Sequence, residues 1–460
     1  MSHQDLGSRC NAVCLKQALR WLLAGVKWSS ITFRNDCTWT PQRLAWAALL
    51  WAWSDETTLV ERFQTVRKII QFLFPGQEKL ATSYQAFIKL VERWTSRLVA
   101  ELQIALRQRL PNSLSNHWLV GDWLLFGVDG SRVELPRTVS HEAAYSATRT
   151  ASKSSRRRRK QRQRHTKKAN SPQLWLTTMW HAGSGLPWDW RIGPADSSER
   201  AHLLEMLPAL PAATLVAADA GFVGYDYLQA IVESGRQLLI RVGANVRLLR
   251  KLGYARESSG RVYLWPDQRA KRGEPPLILR LIEVHNGKHP VYLVTSVLTK
   301  SKLSDAQLVE LYRRRWGIEV FYRSLKQTYG RRKLRSTTAA NARVELEWSL
   351  AGLWAMALYA LVELGAGGKP PSQLSIAQTL RAFRRMLRDY RHPSQRGCEL
   401  RDRLRCALID TYQRQNKASR SYPRKKNESP PGAPQITCAT KTQVQQAKAL
   451  KQQTKKRLTA

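Results

Sequence analysis

Four residues of different chemistry recur at one useful spacing: Tyr312, Arg315, Glu319 and Lys326, within the run LYRRRWGIEVFYRSLKQTYG at 311–330. The stretch from Ile318 to Tyr329 contains neither Gly nor Pro, and its apolar residues recur at helical spacing, so the segment reads as one helix. At about 100° per residue the four positions fall within an arc of roughly 60°. A phenol, a guanidinium, a carboxylate and an ammonium then form a single stripe. Glu319 is the only acid between Tyr312 and Arg335. A lone acid among so many bases suits a site holding a metal ion beside a phosphate backbone better than it suits a solvated face.

Two further acids arrive in a similar way. The apolar run Trp123–Val128, WLLFGV, ends in Asp129-Gly130, and Ala213–Ala218 ends in Asp219, followed by Ala220-Gly221-Phe222. Each reads as a buried strand delivering an acid at its end. Asp129, Asp219 and Glu319 are hard oxygen donors, suited to Mg²⁺ or Mn²⁺ rather than zinc. Two such ions can activate a water and stabilise a leaving 3′ oxygen during in-line attack on a phosphodiester. Chain separation alone carries no information; the two strands and the basic stripe give the triple its meaning.

The surrounding elements follow from periodicity and breakers. Helical runs cover Ala12–Val26, Pro41–Trp53, Leu59–Phe74 and Ser83–Leu110, so residues 1–115 read as a helical N-terminal domain, for which DNA binding is the expected role. Ser83–Trp94 has the length of a DNA-recognition helix, although an ordinary bundle helix is the favoured reading. Leu174–His181 and Leu186–Ile192 flank Gly183-Ser184-Gly185 as a hairpin. A helix at Ser198–Leu207, the Asp219 strand, a helix at Gly224–Ser234 and a strand at Gln237–Val242 complete a mixed α/β layout. Residues 243–300 are short β-type runs, Lys302–Tyr329 supplies helices, and 342–364 and 372–390 are helical. The expected division is 1–115, a catalytic domain at 116–340, a helical region at 341–411 and a basic, disordered tail at 412–460.

The charge points to a polyanionic partner. The chain of 460 residues carries 76 Lys+Arg against 34 Asp+Glu, a net +42. Residues 153–168 hold ten bases and no acid, and 414–460 hold twelve bases and one acid, Glu428. Removing those two stretches still leaves +21, so the folded part is basic as well. The six cysteines, Cys10, Cys14, Cys37, Cys398, Cys406 and Cys438, have neither zinc spacing nor the density of a disulfide framework, and read as reduced cytosolic thiols. No signal peptide is evident, and the apolar stretch Trp348–Leu364 is short for a membrane span, so a buried core helix is expected there.

With these residues in hand, the chain resembles bacterial insertion-sequence DDE transposases of the branch with a Y-(2)-R-(3)-E-(6)-K signature, the IS-four group. Tyr312, Arg315, Glu319 and Lys326 match that signature at every spacing, while Val128-Asp129-Gly130-Ser131 and Asp219-Ala220-Gly221-Phe222 resemble its first and second acid motifs. The resemblance covers roughly 120–335. It implies a ribonuclease-H-like core with a β-rich insertion at 243–300, and metal ligation by Asp129, Asp219 and Glu319. It further implies that Tyr312, Arg315 and Lys326, with Arg323 on the same segment, contact DNA-end phosphates. In relatives a tryptophan of the insertion stacks on a flipped base; Trp265, the only tryptophan of 243–300, is the candidate, set against a core role.

The expected activity is cut-and-paste transposition at terminal inverted repeats, with strand transfer into target DNA; the resemblance implies a hairpin at the cleaved end, a route the residues themselves leave open. It needs double-stranded DNA, two Mg²⁺ or Mn²⁺ ions and a homodimer to pair two ends, in the bacterial cytoplasm and associated with the nucleoid. Residues 342–390 are the expected dimer surface, because Trp348–Leu364 could pair. The basic loop Arg156–Lys168 is expected to become ordered on phosphates, or to act as an electrostatic tether. The competing readings are an inactive transposase-derived regulator, which the intact acids and full signature argue against, and a host nuclease on the same fold.

Overall fold

The computed structural model describes residues 10–75, 80–146, 171–250, 252, 260–286, 289–394, 399–410 and 432–459. The basic loop at 153–168 lies outside them. Four N-terminal helices come first: α1 (Asn11–Leu23), α2 (Pro41–Trp53), α3 (Leu59–Leu73) and α4 (Tyr84–Ser113). Local chemistry sets their starts. Thr40 caps α2 with Pro41 in its first turn, Thr58 and Glu61 form a reciprocal capping box on α3, and the Ser83 hydroxyl accepts from Ala86 N–H on α4.

A sheet then builds the centre. Its strands are β1 (Leu124–Glu134), β2 (Gln173–His181), β3 (Leu186–Gly193), β4 (Thr214–Ala218) and β5 (Gln237–Val242), then β6 (Arg247–Leu249), β7 (Arg261–Leu264), β8 (Leu277–Asn286), β9 (His289–Thr295) and β10 (Gln435–Thr437). Their spatial order is β10-β6-β7-β8-β9-β5-β4-β1-β2-β3. Strands β1, β4 and β5 run parallel, whereas β2 and β3 form an antiparallel hairpin on the β1 edge. The β-rich insertion does not stand apart, because β9 pairs antiparallel with β5 and extends the same sheet.

Between strands lie α5 (Val139–Tyr145), α6 (Glu199–Met206), α7 (Tyr225–Glu233) and α8 (Asp267–Lys271). After β9 come α9 (Asp305–Arg314) and α10 (Gly317–Arg323), a π-helical turn at Ser324–Thr328, then α11 (Ala339–Ala366), α12 (Ile376–Arg388), α13 (Glu399–Arg405) and α14 (Lys441–Thr459).

Helix α11 is the hub of the helical layer. It is apolar and long enough to cross a membrane, but 83% of its most apolar window is buried inside the protein. Trp53 Nε1 donates to the Gly352 carbonyl (2.8 Å), and Trp348 Nε1 donates to Thr95 Oγ1 (2.9 Å). A Cβ on Gly352 would sit 2.8 Å from the Tyr329 hydroxyl and 3.1 Å from Trp53 Nε1, so glycine is what permits this approach. The core role expected for Trp348–Leu364 therefore holds. The dimer role does not, because the face that would pair already packs against the protein's own helices. Residues from α1–α4 and α11–α13 share one continuous core with the sheet, and α4 lies in it as a bundle helix through Phe87, Ile88 and Val91.

The tail differs from expectation at 432–459. There β10 pairs parallel with β6, and α14 seats Val444, Ala447 and Leu450 against Leu249, Leu252, Tyr263 and Trp265. A polar segment becomes ordered because the insertion offers it an apolar seat and an open strand edge. The five described cysteines, Cys10, Cys14, Cys37, Cys406 and Cys438, form no disulfide.

Candidate active site

Asp129 and Asp219 are neighbours by register. The parallel pairing of β1 with β4 ends at Val128 opposite Ala218, so the next residue on each strand is an aspartate. Asp219 follows its strand, as expected. Asp129 does not end β1, which continues to Glu134 through its pairing with β2. The acid sits where β1 loses one neighbour and keeps the other. Each carboxylate uses one oxygen locally: Asp129 Oδ1 accepts from Gly130 N–H (2.9 Å), and Asp219 Oδ1 accepts from Ala220 N–H (2.7 Å).

Strand alternation sets the faces. Leu125, Leu215 and Ala217 pack with Leu308, Leu311 and Tyr312 of α9, so positions 127, 129 and 219 belong to the face that α9 and α10 cover. The expected single helix over 311–330 is broken there. α9 ends at Arg314, Arg315 and Trp316 form a turn, and α10 starts at Gly317. Both turn residues keep helical backbone angles, and the chain tightens to three-residue hydrogen bonds from Tyr312 to Glu319; Gly317 then packs on β2, where a Cβ would lie 2.0 Å from Trp180 Cη2. Tyr322 fixes the other end of α10, its hydroxyl donating to the carbonyls of Asp129 (2.7 Å) and Leu176 (3.3 Å). Beyond the π turn, Arg331 Nε donates to Ser349 Oγ (2.7 Å) and buried Glu345 accepts from Ser336 N–H and Oγ (2.9 and 2.8 Å), tying the segment to α11.

Arg315 is buried at 4% side-chain exposure, and its Nη2 stands 3.6 Å from Glu319 Oε1, whose side chain is 41% exposed. The guanidinium also lies 5.4 Å from the ring centroids of Tyr312 and Trp316. The Tyr312 hydroxyl is buried without a hydrogen-bond partner, as is Arg315 Nε. Burial, above all, raises the Tyr312 phenol to about 12, so it stays protonated and able to donate. Lys326 Nζ donates to Ser131 Oγ on β1 (2.7 Å). Burial lowers its pKa, with the nearby Glu134 and Asp129 carboxylates opposing that shift. Arg323 is exposed one turn beyond Glu319.

Burial is also the largest cause that lifts the Asp129 carboxyl to about 6. The Gly130 N–H and Arg315 act against the rise, while the Glu319 and Asp219 carboxylates add to it. Asp129 thus feels both other acids of the sequence triple. A fourth acid, which sequence reasoning missed, belongs to the same neighbourhood. Glu199, in the first turn of α6, has its pKa raised by burial and then by Asp129 and Asp219.

The donor set is carboxylate oxygen throughout, which fits a hard divalent ion in type. Among the described residues, no three His, Cys, Asp or Glu side chains stand at ligating spacing. Glu319 is instead paired with Arg315.

Trp265 does not join this constellation. It is 4% exposed, packs in the small core with Tyr263 and Ala447, and donates from Nε1 to the Glu274 carbonyl (2.8 Å). Of the two roles weighed for it, the structure favours the core. The stacking role needs an exposed ring, and α14 covers this one.

Three comparisons with known proteins bear on the site. The family model described as the transposase DDE domain matches residues 125–354, which include Asp129, Asp219 and the whole 312–326 stripe. The transposase InsG for insertion sequence element IS4 of Escherichia coli (strain K12) is 24% identical over 344 residues, spanning 71% of this chain and 73% of the relative. A cryo-EM structure of a piggyBac transposase synaptic complex with hairpin DNA superposes over 91% of this chain and 90% of its own at 12% identity. Its TM-score of 0.42 is too low for that likeness to carry an argument.

Proposed function

This chain belongs to the transposase DDE-domain family, and on that premise we propose that Asp129, Asp219 and Glu319 are the metal-binding catalytic acids of a cut-and-paste DNA transposase. The observation that carries the assignment is the register of β1 and β4, from which two aspartates emerge side by side beneath the helix bearing Glu319. The strand order β3-β2-β1-β4-β5, with β1, β4 and β5 parallel, supports a ribonuclease-H-like core.

Divalent ions, Mg²⁺ or Mn²⁺, supply nucleophile activation and stabilisation of the leaving 3′ oxygen when bound at these acids. The chain's own groups orient the DNA. Lys326 and the exposed Arg323 are cations on the segment that bears Glu319 and would hold phosphate oxygens at a transposon end, joined by the buried Arg315 once its pair with Glu319 opens. The Tyr312 hydroxyl, buried and unpartnered, has a free proton to donate to such an oxygen. A phosphate taken by Arg315 would release Glu319 toward the two aspartates. DNA binding and completion of the acidic site are then coupled through one guanidinium.

The substrates are duplex DNA at the terminal inverted repeats and then target DNA. Two protomers bring two ends together in the bacterial cytoplasm. The deciding experiment is strand cleavage of a labelled duplex carrying the element's terminal repeat, in Mg²⁺, with Glu319→Ala beside the natural chain. Metal-dependent cleavage at the repeat boundary, absent in the variant while binding persists, supports the assignment. Binding without cleavage by both proteins would turn the reading to an inactive DNA-binding regulator.

A further inference from the structure

Strand β1 outruns one of its neighbours. Its pairing with β4 ends at Val128, whereas its pairing with β2 continues to Glu134. From Asp129 to Val133 the edge that β4 leaves has no strand beside it among the described residues. Side chains of this projecting end alternate between the two faces of the sheet. Ser131 is on the face of α10, where Lys326 Nζ donates to it. Gly130 and Arg132 are on the other face. A Cβ on Gly130 would fall 2.3 Å from Glu199 of α6, and Arg132 lies opposite Trp175 of β2, its guanidinium 5.1 Å from that ring's centroid. Each face of the strand end that bears Asp129 thus presents a cation.

Arg132 is exposed, and it forms no ion pair among the described residues. The Trp175 ring restrains one face of the guanidinium and leaves its N–H edge open, the form in which arginine takes phosphate oxygens. A second aromatic-backed arginine stands by the other aspartate. Arg200 Nε donates to the Gly221 carbonyl (2.7 Å), two residues after Asp219, and its guanidinium lies 5.4 Å from the Tyr227 ring centroid. Glu199 feels both arginines, which oppose the upward push of burial and of the two aspartates on its carboxyl. The acids are therefore flanked by positive charge on the α6 face as well as on the α10 face.

A scissile phosphodiester joins two stretches of DNA, and in-line displacement puts the attacking and leaving oxygens on opposite sides of phosphorus. The DNA on either side of the cut therefore leaves the acids in different directions. Cations on both faces of an open strand end suit that geometry. We propose that Arg132 binds a phosphate of the DNA beyond the cut, the stretch that flanks the transposon end before cleavage. Lys326, on the other face, keeps the transposon end itself. The inference rests on the reading of Asp129 as a catalytic acid and of Lys326 as a contact of that end.

The test compares two terminal-repeat duplexes, one continuing into flanking DNA and one ending flush at the repeat boundary. The full-length chain binds each in chelator, so that neither is cut, and the readout is the slope of log affinity against log salt. Arg132→Gln is expected to reduce that slope by about 0.9, the release of one phosphate, on the flanked duplex and to leave the flush duplex unchanged. Arg132→Lys keeps the charge and should restore most of the slope. Thermal unfolding of both variants should match that of the natural chain. An equal loss on the two duplexes would assign Arg132 to the transposon end, and no loss on either would leave it as a cover for Trp175; each result overturns the inference alone. If the natural chain binds the repeat no better than an unrelated duplex, the transposase reading falls and the inference falls with it.

Discussion

The Tyr322 hydroxyl donates to the backbone carbonyl of Asp129 across 2.7 Å, joining the helix of one candidate acid to the strand of another. Tyr322 lies three residues after Glu319, so its anchor sets the height of α10 above β1. Removing the hydroxyl with Tyr322→Phe leaves the ring in place and deletes one buried hydrogen bond, worth about 1 kcal/mol. The expected result is a modest loss of stability and a drop in single-turnover strand cleavage of roughly tenfold, about 1.4 kcal/mol in the barrier. Binding to the terminal-repeat duplex should be unchanged. Cleavage at the natural rate would show that α10 holds its place without this contact.

Gly317 controls the same geometry from the other end of α10. Gly317→Ala puts a methyl 2.0 Å from Trp180 Cη2, and one of the two must move. Overpacking of this kind costs about 1–3 kcal/mol. Because Glu319 is only two residues away, cleavage should fall by more than stability alone explains. Pairing Gly317→Ala with Trp180→Leu makes room for the methyl and should restore part of both; failure of the pair to recover cleavage would argue against a steric cause.

Asp129 makes the metal-free protein sensitive to pH. Burial pushes its carboxyl up to about 6 in the fold, above the roughly 3.9 of a free aspartate, so the folded state binds this proton more tightly than the unfolded chain does. The contribution therefore favours folding below about pH 4 and is lost progressively as pH rises through 6. Asp129→Asn removes the cost of the buried charge at neutral pH. Its upper bound is about 3 kcal/mol at roughly 1.4 kcal/mol per pKa unit, and solvent reaching a half-buried carboxylate lowers it. In chelator at pH 7.5 the variant should unfold at a higher temperature than the natural chain, with the gap closing toward pH 4. A variant less stable at both pH values would mean that the ionised carboxylate has a structural partner.

How much of this was readable from residues alone depended on whether the cause was local. Strands β1 and β4 were legible because unbroken apolar runs end in an acid, and the capped helices because Thr40-Pro41 and Thr58 with Glu61 carry their own start signals. The break at Arg315–Trp316 was not, since both residues keep helical backbone angles and the chain only tightens to three-residue hydrogen bonds, while the close packing of Gly317 on Trp180 is a contact between residues more than 130 positions apart. Glu199 escaped notice for the same reason. A glutamate in the first turn of a helix is unremarkable by itself, and only the folding of α6 against Gly130 brings it near the two aspartates. Helix α14 has three apolar residues on its packing face, too few to announce a fixed helix without the surface that receives them.

Lys326 offers a quantitative test of DNA contact. Its ammonium is held on β1 by Ser131, so it faces the strand that bears Asp129 rather than sweeping free in solvent. If it neutralises one phosphate at the DNA end, Lys326→Gln should reduce the slope of log affinity against log salt by about 0.9. The unfolding temperature should barely move, because the lost bond is a single polar contact at the rim. An unchanged salt slope would assign Lys326 to holding Ser131 and not to DNA.

Trp265 separates a packing role from a stacking one. Its ring is closed in by Leu249, Leu252, Tyr263 and the α14 residue Ala447, and its indole N–H is already spent on Glu274. A buried tryptophan truncated to alanine costs about 3–5 kcal/mol where the cavity cannot collapse. Trp265→Ala should therefore detach α14 and speed hydrogen exchange in β7, β8 and α14 together, whereas Trp265→Phe should keep the segment docked. The fluorescence of 2-aminopurine placed at the end of a terminal-repeat duplex reports whether a ring stacks on the extruded base. Equal quenching by the natural chain and by Trp265→Phe, with protection of α14 from exchange maintained on DNA, is expected of a core residue. Loss of quenching in Trp265→Phe, with α14 deprotected when DNA binds, would mean that the helix swings away to release the indole.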